Sequence, residues 1–223
     1  MAIESEVLDF QYFNLPARYF TSLDMPTIRA DIEFVSRIVS EHVIVEVSDI
    51  QDRLMIHVVA EKDEPGIFLR VAAVLCSHGI CILKATIFTG KKDTMVIDHF
   101  IVHPQTERAL LDLACTDIRD ALLHKTTCTP KLGTPDNTGL AISCVQSSSD
   151  DAIVTIEACE QPGFLYRISK TFSDLDLSLT DADINTTADR ISDTFHIVTP
   201  DRKMPSLEKL SELHDALLRA FAV

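Results

Sequence analysis

The sequence contains no tryptophan and only six glycines among its 223 residues. No two of these glycines are spaced as Gly-x-Gly, so neither a dinucleotide-binding fingerprint nor a phosphate-binding loop can be built from them. Basic residues are also scarce, because 20 Lys and Arg stand against 34 Asp and Glu, and the net charge is -14. Since such a surface repels phosphate backbones and anionic lipids, we expect no nucleic-acid binding and no membrane binding.

Long hydrophobic runs and paired cysteines are missing as well. The apolar runs are too short to cross a bilayer, and the N-terminus carries acidic residues where a signal peptide needs basic ones. We therefore expect a cytoplasmic protein. The six cysteines form no Cys-x-x-Cys pair and mostly lie in apolar runs, which favours reduced core cysteines over a disulfide framework or a zinc site. We expect no cofactor and no metal.

An internal repeat organises the chain. The segment 63–71, with the sequence Asp-Glu-Pro-Gly-Ile-Phe-Leu-Arg-Val, recurs at 160–168 as Glu-Gln-Pro-Gly-Phe-Leu-Tyr-Arg-Ile, at an offset of 97 residues. Farther along, Asp98-His99-Phe100 corresponds to Asp193-Thr194-Phe195. Because a repeat in register indicates two copies of one structural unit, it decides the architecture before any single motif does.

Each copy shows the same succession of hydrophobic periods. A strand leads to the Pro-Gly turn, helical spacing follows the turn, and two further strands and a second helix complete the copy. In the first copy we expect the two strands at about 80–89 and 94–103 and the second helix at 105–123, followed by a candidate closing strand at 139–146. This βαββαβ order is the ferredoxin-like plan, an α+β fold with two helices on one face of an antiparallel sheet.

Three segments follow from this pattern. We predict a helical N-terminal segment at 1–50, with a helix that begins after Asp24, a first domain at 51–146 and a second domain at 151–223. The second copy ends without a fourth strand of its own, so either its sheet is short or the strand at 139–146 completes it. An uncovered sheet edge favours pairing with a second copy, and we expect a homodimer.

The acidic-x-Pro-Gly turn, the helix after it and the later Asp-x-Phe strand resemble the ACT domain, a small-molecule regulatory module. As a pair, the copies resemble the C-terminal tandem ACT region of the bifunctional enzymes that uridylylate and deuridylylate the PII nitrogen-signalling protein. The segments that carry this resemblance are 85–89, 98–102, 161–168 and 181–184. The family's catalytic cores need a Gly-Ser, absent here, and a His-Asp pair, which occurs once, at 214–215 in an amphipathic helix. We therefore expect no enzymatic activity of the chain's own.

The resemblance implies a module that binds a small amino acid, glutamine being the ligand it suggests, and that reports nitrogen status to a catalytic or PII-type protein partner. The alternative is a protein-interaction or dimerisation scaffold of ACT domains that binds no metabolite.

The Pro-Gly turns are the candidate ligand sites. A glycine lets a ligand approach the backbone closely, and the free N–H groups at a helix start can hold a carboxylate, while the acidic residue before the turn can hold an ammonium group. The residues concerned are Asp63, Gly66, Ile67 and Phe68 in the first copy and Glu160, Gly163, Phe164 and Leu165 in the second. Because ligands of the ACT family commonly lie where two domains meet, the resemblance adds the second-strand residues Lys84 and Asp181. The competing interpretation is that each turn only connects strand to helix, with the acidic residue as a cap.

One histidine pair is a weaker candidate. His99 and His103 are four residues apart, but on a strand this spacing separates them by about 13 Å, too far for one metal ion. We expect each to be a core or a solvated histidine.

Overall fold

The structure, a computed structural model, describes residues 15–50, 53–90, 95–147, 150–187 and 190–222. Within these ranges the helices are α1 (Ala17–Ser22), α2 (Met25–Glu41), α3 (Ile67–Ser77), α4 (Arg108–Leu123), α5 (Phe164–Asp174) and α6 (Leu207–Ala220). The strands are β1 (Val43–Ile50), β2 (Arg53–Ala60), β3 (Ile82–Thr89), β4 (Val96–Val102), β5 (Ala141–Gln146), β6 (Ala152–Cys159), β7 (Ser178–Thr187) and β8 (Arg190–Val198). Across the part of the chain described, no helix has both the length and the apolar character that a membrane span requires.

All eight strands form one antiparallel sheet in the order β1-β2-β4-β3-β7-β8-β6-β5. The first four belong to the first copy of the repeat and the last four to the second, in mirrored order. Each half, with its two helices, has the strand arrangement of a ferredoxin-like unit. The predicted α+β class with two such units is therefore confirmed.

The two units meet at the centre of the sheet, where β3 pairs with β7. Ala85 pairs with Ile184 and Ile87 pairs with Ala182, and these residues exchange under the repeat offset. The register thus places an approximate two-fold axis between Thr86 and its partner Asp183. The turn of each unit therefore faces the same part of the other unit.

The edge strand of each unit lies before the strand that leads to its Pro-Gly turn. The candidate strand at 139–146 is present as β5 and pairs with β6, which agrees with the alternative that it completes the second unit; it does not close the first. The corresponding edge of the first unit is β1, which pairs with β2 and lies in the segment predicted as helical to residue 50. Val43 and Val45 alternate toward the core, and this period of two had been merged with the apolar stripe of the preceding helix. We propose units at 43–123 and 141–220.

The sheet carries helices on both faces. α3, α4, α5 and α6 pack on one face over a continuous apolar core that runs through both units. On the opposite face α2 packs against β1 and β2, where Ile28, Phe34 and Ile38 contact a second apolar cluster. The predicted start of this helix is confirmed, because the Asp24 side chain accepts a hydrogen bond from the Thr27 N–H. The N-terminal helices therefore cover the first unit.

The C-terminal ends of α3 and α5 test a backbone prediction. Gly79 and Asp176 occupy equivalent positions after these helices, and both have a left-handed backbone, with φ values of 67° and 53°. The left-handed conformation is sterically unfavourable for any residue other than glycine. We expect Asp176→Gly to raise the free energy of unfolding by about 0.5–1 kcal/mol, measured by urea denaturation.

The matched control is Gly79→Ala. No atom lies within 4 Å of the added Cβ, so only backbone strain changes. A loss of about 1 kcal/mol is expected, and equal stability of all three proteins would contradict the assignment of strain to this position.

Candidate functional site

The two Pro-Gly turns adopt the same conformation. Gly66 has φ 85° and Gly163 has φ 78°, both in the left-handed region, and the helices begin at the next residue, Ile67 or Phe164. In the first turn the Ile67 N–H is 3.4 Å from the Glu64 carbonyl, while the N–H groups of Phe68 and Leu69 have no acceptor within the described part of the chain. The helix start therefore offers two free donors to an anion.

Each turn opens into a cavity between the two units. The first cavity, of about 120 Å³, lies between the first turn and the end of α5 with the start of β7, represented by Phe172, Leu177 and Leu179. The second, of about 180 Å³, lies between the second turn and the equivalent end of α3 with the start of β3. The two-fold relation of the units thus produces two related sites, each built from both copies.

The first cavity contains a buried carboxyl group without a hydrogen-bond partner among the described residues. Asp98, on β4, lines the cavity and is 1% exposed, and neither of its side-chain oxygens makes a hydrogen bond. The backbone N–H of Phe88 approaches the carboxyl without reaching hydrogen-bond geometry. Burial raises the pKa of Asp98 well above its usual value, and the charges of Asp63 and Asp181 raise it further. The group is therefore poised to accept a cation.

An ion pair between the units closes the same cavity. Arg202, in the loop after β8, donates from Nη2 to Oδ2 of Asp63 at 2.7 Å. Both residues line the cavity, and the Asp63 side chain is only 15% exposed. The acidic residue that the sequence predicts as the ammonium partner is thus already paired with a guanidinium, which leaves Asp98 as the buried acidic group without a described partner.

The second turn is more crowded. Glu160 accepts a hydrogen bond from the Cys81 Sγ at 3.3 Å, and the Gln161 side chain exchanges two hydrogen bonds with the Asp136 backbone in the connection between the units. Leu132 of that connection packs so closely that a Cβ on Gly163 would lie 2.3 Å from its Cδ2. The connection therefore lies across the second turn, whereas the first turn faces Arg202.

Asp193 is the counterpart of Asp98 in the second cavity. Its Oδ1 accepts a hydrogen bond from the Asn185 N–H at 3.1 Å, while its Oδ2 has no described partner. Burial raises the pKa of Asp193 to about 7, the Asn185 N–H lowers it and the charge of Asp183 adds to the rise. The two equivalent carboxyls thus differ, since only Asp98 lacks every described hydrogen bond.

A pH dependence of stability follows from Asp193. The folded protein keeps the proton on this carboxyl up to about pH 7, whereas the unfolded chain releases it near pH 4. Between these values the folded state binds more protons, so its stability falls as the pH rises. We expect Asp193→Asn to raise the free energy of unfolding by roughly 2 kcal/mol at pH 8 and to change it little at pH 4.

Urea denaturation across this pH range measures the effect. Asp120→Asn is the control, because Asp120 is exposed and its replacement removes a charge that is not buried. A pH profile of Asp193→Asn parallel to that of the unmodified protein would contradict the prediction.

The structure brings together eight of the ten sequence-predicted site residues, four at each turn. Lys84 and Asp181 are not among the residues that line the two cavities. Lys84 is exposed, and Asp181 pairs across the sheet with Phe88 and forms an ion pair with Arg18 of α1. Because cross-strand partners share a face, both residues lie on the face that carries the N-terminal helices.

Sequence reasoning missed Asp98, Asp193 and Arg202 as site residues. The two aspartates were visible as a repeated Asp-x-Phe, but their approach to the turns depends on strand pairing. For Arg202 the sequence held no signal, because its partner Asp63 lies 139 residues away in the other unit.

The chain is similar to proteins of known activity. The chain is 28% identical to the bifunctional uridylyltransferase/uridylyl-removing enzyme of Rhodospirillum rubrum over 177 residues, 71% of this chain and 19% of that protein. It is 28% identical to the same enzyme of Caulobacter vibrioides over 73% of this chain and 19% of that protein. It is 29% identical to the enzyme of Burkholderia lata over 87% of this chain and 24% of that protein. The chain spans about a fifth to a quarter of the length of these relatives. No protein-family model matches the chain.

The chain also aligns with solved structures. The aspartate kinase from Synechocystis aligns with 77% of this chain and 27% of that chain, at a TM-score of 0.47 and 12% identity. The regulatory subunit of aspartate kinase from Thermus thermophilus, in its ligand-free form, aligns with 80% of this chain and 97% of that chain. Its TM-score is 0.27 and its sequence identity is 16%. The predicted resemblance is confirmed by the sequence matches: the chain is similar to the bifunctional uridylyltransferase/uridylyl-removing enzymes.

Proposed function

We propose that the chain is a non-catalytic regulatory module of two ACT units that binds a small amino acid, glutamine, in the first cavity. Similarity to the uridylyltransferase/uridylyl-removing enzymes supports a regulatory ACT module. The single observation that carries the ligand site is the placement of the Asp98 carboxyl, which has no partner among the described residues, in the cavity that opens at the start of α3. An α-amino acid carries the two complementary charges.

The carboxylate of the ligand would lie at the start of α3. Phe68 and Leu69, whose N–H groups have no acceptor among the described residues, line the cavity, and the positive end of the helix dipole favours an anion there. Glycine is needed at position 66 because its φ of 85° lies in the left-handed region, and this backbone conformation sets the turn that leads into α3.

The ammonium group of the ligand would lie against Asp98. An ammonium ion supplies the charge and the hydrogen-bond donors that the buried carboxyl lacks. The rest of the lining includes the hydroxyl groups of Thr89, Ser173 and Ser178, which suit a polar side chain such as an amide. The cavity of about 120 Å³ is small, which favours a small metabolite over a nucleotide.

Regulation would act through the contact between the units. The ligand would lie beside the Arg202–Asp63 ion pair, which joins the loop after β8 to the first turn. A bound carboxylate competes for the same guanidinium, so occupancy changes the packing of the two units. The receiver of this change would be a catalytic or PII-type protein partner.

Isothermal titration of the chain with glutamine, followed by the other common amino acids, tests the proposal. We expect saturable binding of one amino acid, and loss of binding for an analogue without the α-amino group and for one without the α-carboxylate. Silence across the whole panel with a folded protein would reject amino-acid sensing. That outcome would favour an interaction scaffold without a metabolite.

A further inference from the structure

A second polar cluster lies on the other face of the sheet, between α2 and the first unit. It consists of Asp31 from α2, His57 from β2 and His99 from β4, exposed by 0%, 0% and 2%. One ligand atom from each side chain lies within 4.8 Å of the others. The surroundings are apolar, since Phe34 and Phe88 pack against the histidine rings. Three ionisable groups that are fully buried need partners that replace water.

Both imidazole rings point at the same carboxylate oxygen. The His57 Nδ1 lies 2.9 Å from Oδ1 of Asp31, and the His99 Nε2 lies 3.0 Å from the same atom. Tyr19 donates its hydroxyl hydrogen to the other oxygen, Oδ2. Two nitrogens and one oxygen from three different elements thus converge on one point, with a phenol oxygen beside them.

The far side of each ring faces a hydroxyl group. The His57 Nε2 lies 2.6 Å from the Ser48 Oγ, and the His99 Nδ1 lies 3.5 Å from the Thr86 Oγ1. When a ring nitrogen binds a metal ion, the other nitrogen carries the proton and needs an acceptor. Ser48 and Thr86 are such acceptors, because a hydroxyl oxygen accepts as well as donates. The cluster therefore has the outer shell that a histidine metal site requires.

We propose that Asp31, His57 and His99 bind a divalent first-row transition metal ion of the zinc type. Two imidazoles and a carboxylate are the donor set of such ions, whereas Mg²⁺ and Ca²⁺ take oxygen ligands. The hydroxyl group of Tyr19 lies beside these three side chains, hydrogen-bonded to Asp31 Oδ2. The two nitrogen–oxygen distances are 2.9 and 3.0 Å, and the three ligand atoms lie within 4.8 Å of one another. Small shifts of the side chains would let all three reach an ion at about 2.0–2.1 Å.

Such an ion would hold α2 against β2 and β4. Its ligands come from α2 and from two strands of the first unit, so its binding energy would stabilise the docked helix. The sequence could not indicate the site, because Asp31 precedes His57 by 26 residues and His99 by 68. The pair weighed from spacing, His99 with His103, does not share a ligand position.

Metal titration of the whole chain tests this inference. The protein is unfolded with chelator, refolded without metal and titrated with Co²⁺ or Zn²⁺, and it is also refolded with each ion present, because the site is closed to solvent. We expect one equivalent to bind, visible d–d absorption typical of low-coordinate Co²⁺ and a rise in melting temperature. X-ray absorption of the Zn²⁺ form should show nitrogen and oxygen ligands, two of them imidazoles, and no sulfur.

Variants locate the ion. His99→Gln and Asp31→Asn should weaken binding more than about tenfold. His214→Gln, at a half-buried histidine of α6, and Cys128→Ser, at an exposed free cysteine, should bind as the unmodified chain does. Since the first two variants can fail to fold, the X-ray absorption of the unmodified chain stands as an independent test. Sulfur ligands, absence of the Co²⁺ signal or loss of binding in His214→Gln would overturn the proposal and leave a hydrogen-bonded cluster.

Discussion

Replacement of Asp98 by asparagine is expected to weaken amino-acid binding about a hundredfold while making the ligand-free protein more stable. Asparagine keeps the size of the side chain but removes the charge that would hold the ligand's ammonium group, and loss of one partner of a buried charge pair costs 2–5 kcal/mol or more. In the free protein the same carboxyl is buried without a described partner, and burial raises its pKa. Removal of the ionisable group should therefore add roughly 1–2 kcal/mol to the free energy of unfolding at pH 8.

The two effects have opposite signs, which separates this site from an ordinary structural residue. Calorimetric titration and urea denaturation at pH 8 measure them on the same sample. The matched control is Asp193→Asn, which should also gain stability but should keep the ligand affinity of the unmodified chain. An unchanged affinity in Asp98→Asn would contradict the placement of the ammonium group.

Proton release should accompany binding at this site. In the free protein Asp98 stays protonated at pH values where an ordinary aspartate is ionised. Burial raises the pKa of this carboxyl, and the charges of Asp63 and Asp181 add to the effect. An ammonium group beside Asp98 favours the ionised form. Ligand affinity should thus increase as the pH rises toward this raised pKa. Calorimetry in two buffers of different ionisation enthalpy counts the proton released.

Asp31→Ala is expected to lower the free energy of unfolding by about 3–5 kcal/mol. The Asp31 carboxylate accepts hydrogen bonds from Tyr19, His57 and His99, and all four side chains are buried. His99 and His57 lower the pKa of Asp31 to about 2 against the opposing effect of burial, so the folded state holds it ionised. Alanine leaves a tyrosine hydroxyl and two imidazoles without their acceptor.

Urea denaturation measures this loss, with and without chelator, so that metal binding does not enter the comparison. Asp24→Ala is the control on the same helix, since it removes the N-terminal cap of α2 and should cost about 1 kcal/mol. A loss for Asp31→Ala no larger than that for the control would show that the cluster contributes little to the docking of α2.

The repeat units were accessible from the sequence because their signals are local. A glycine after proline, a helical stripe directly behind it and two alternating strands lie within about 40 consecutive residues, and each copy repeats them in register. Local spacing predicts such elements well, since apolar faces must be buried at fixed periods. The observed helix starts at Ile67 and Phe164 follow directly.

The edge strand of the first unit was not predicted, and the unit to which the strand at 139–146 belongs stayed open. Val43–Ile50 follows the apolar stripe of α2 after a single residue, His42, so its alternation was absorbed into the helix. The segment Ala141–Gln146 has the pattern of an edge strand, but nothing in it states which unit it joins. Strand pairing is a non-local choice, decided by the register with β2 and β6.

The sequence by itself determined that the protein consists of two copies of a strand-turn-helix unit with a glycine at each turn, because these features depend on residues close together in the chain. Only the tertiary structure decided that each turn faces the other unit, that Arg202 pairs with Asp63 and that Asp98 is buried beside them. Those contacts join residues far apart in sequence, and they arise from the pairing of β3 with β7 about the two-fold axis. Local periodicity carries no information about such a pairing.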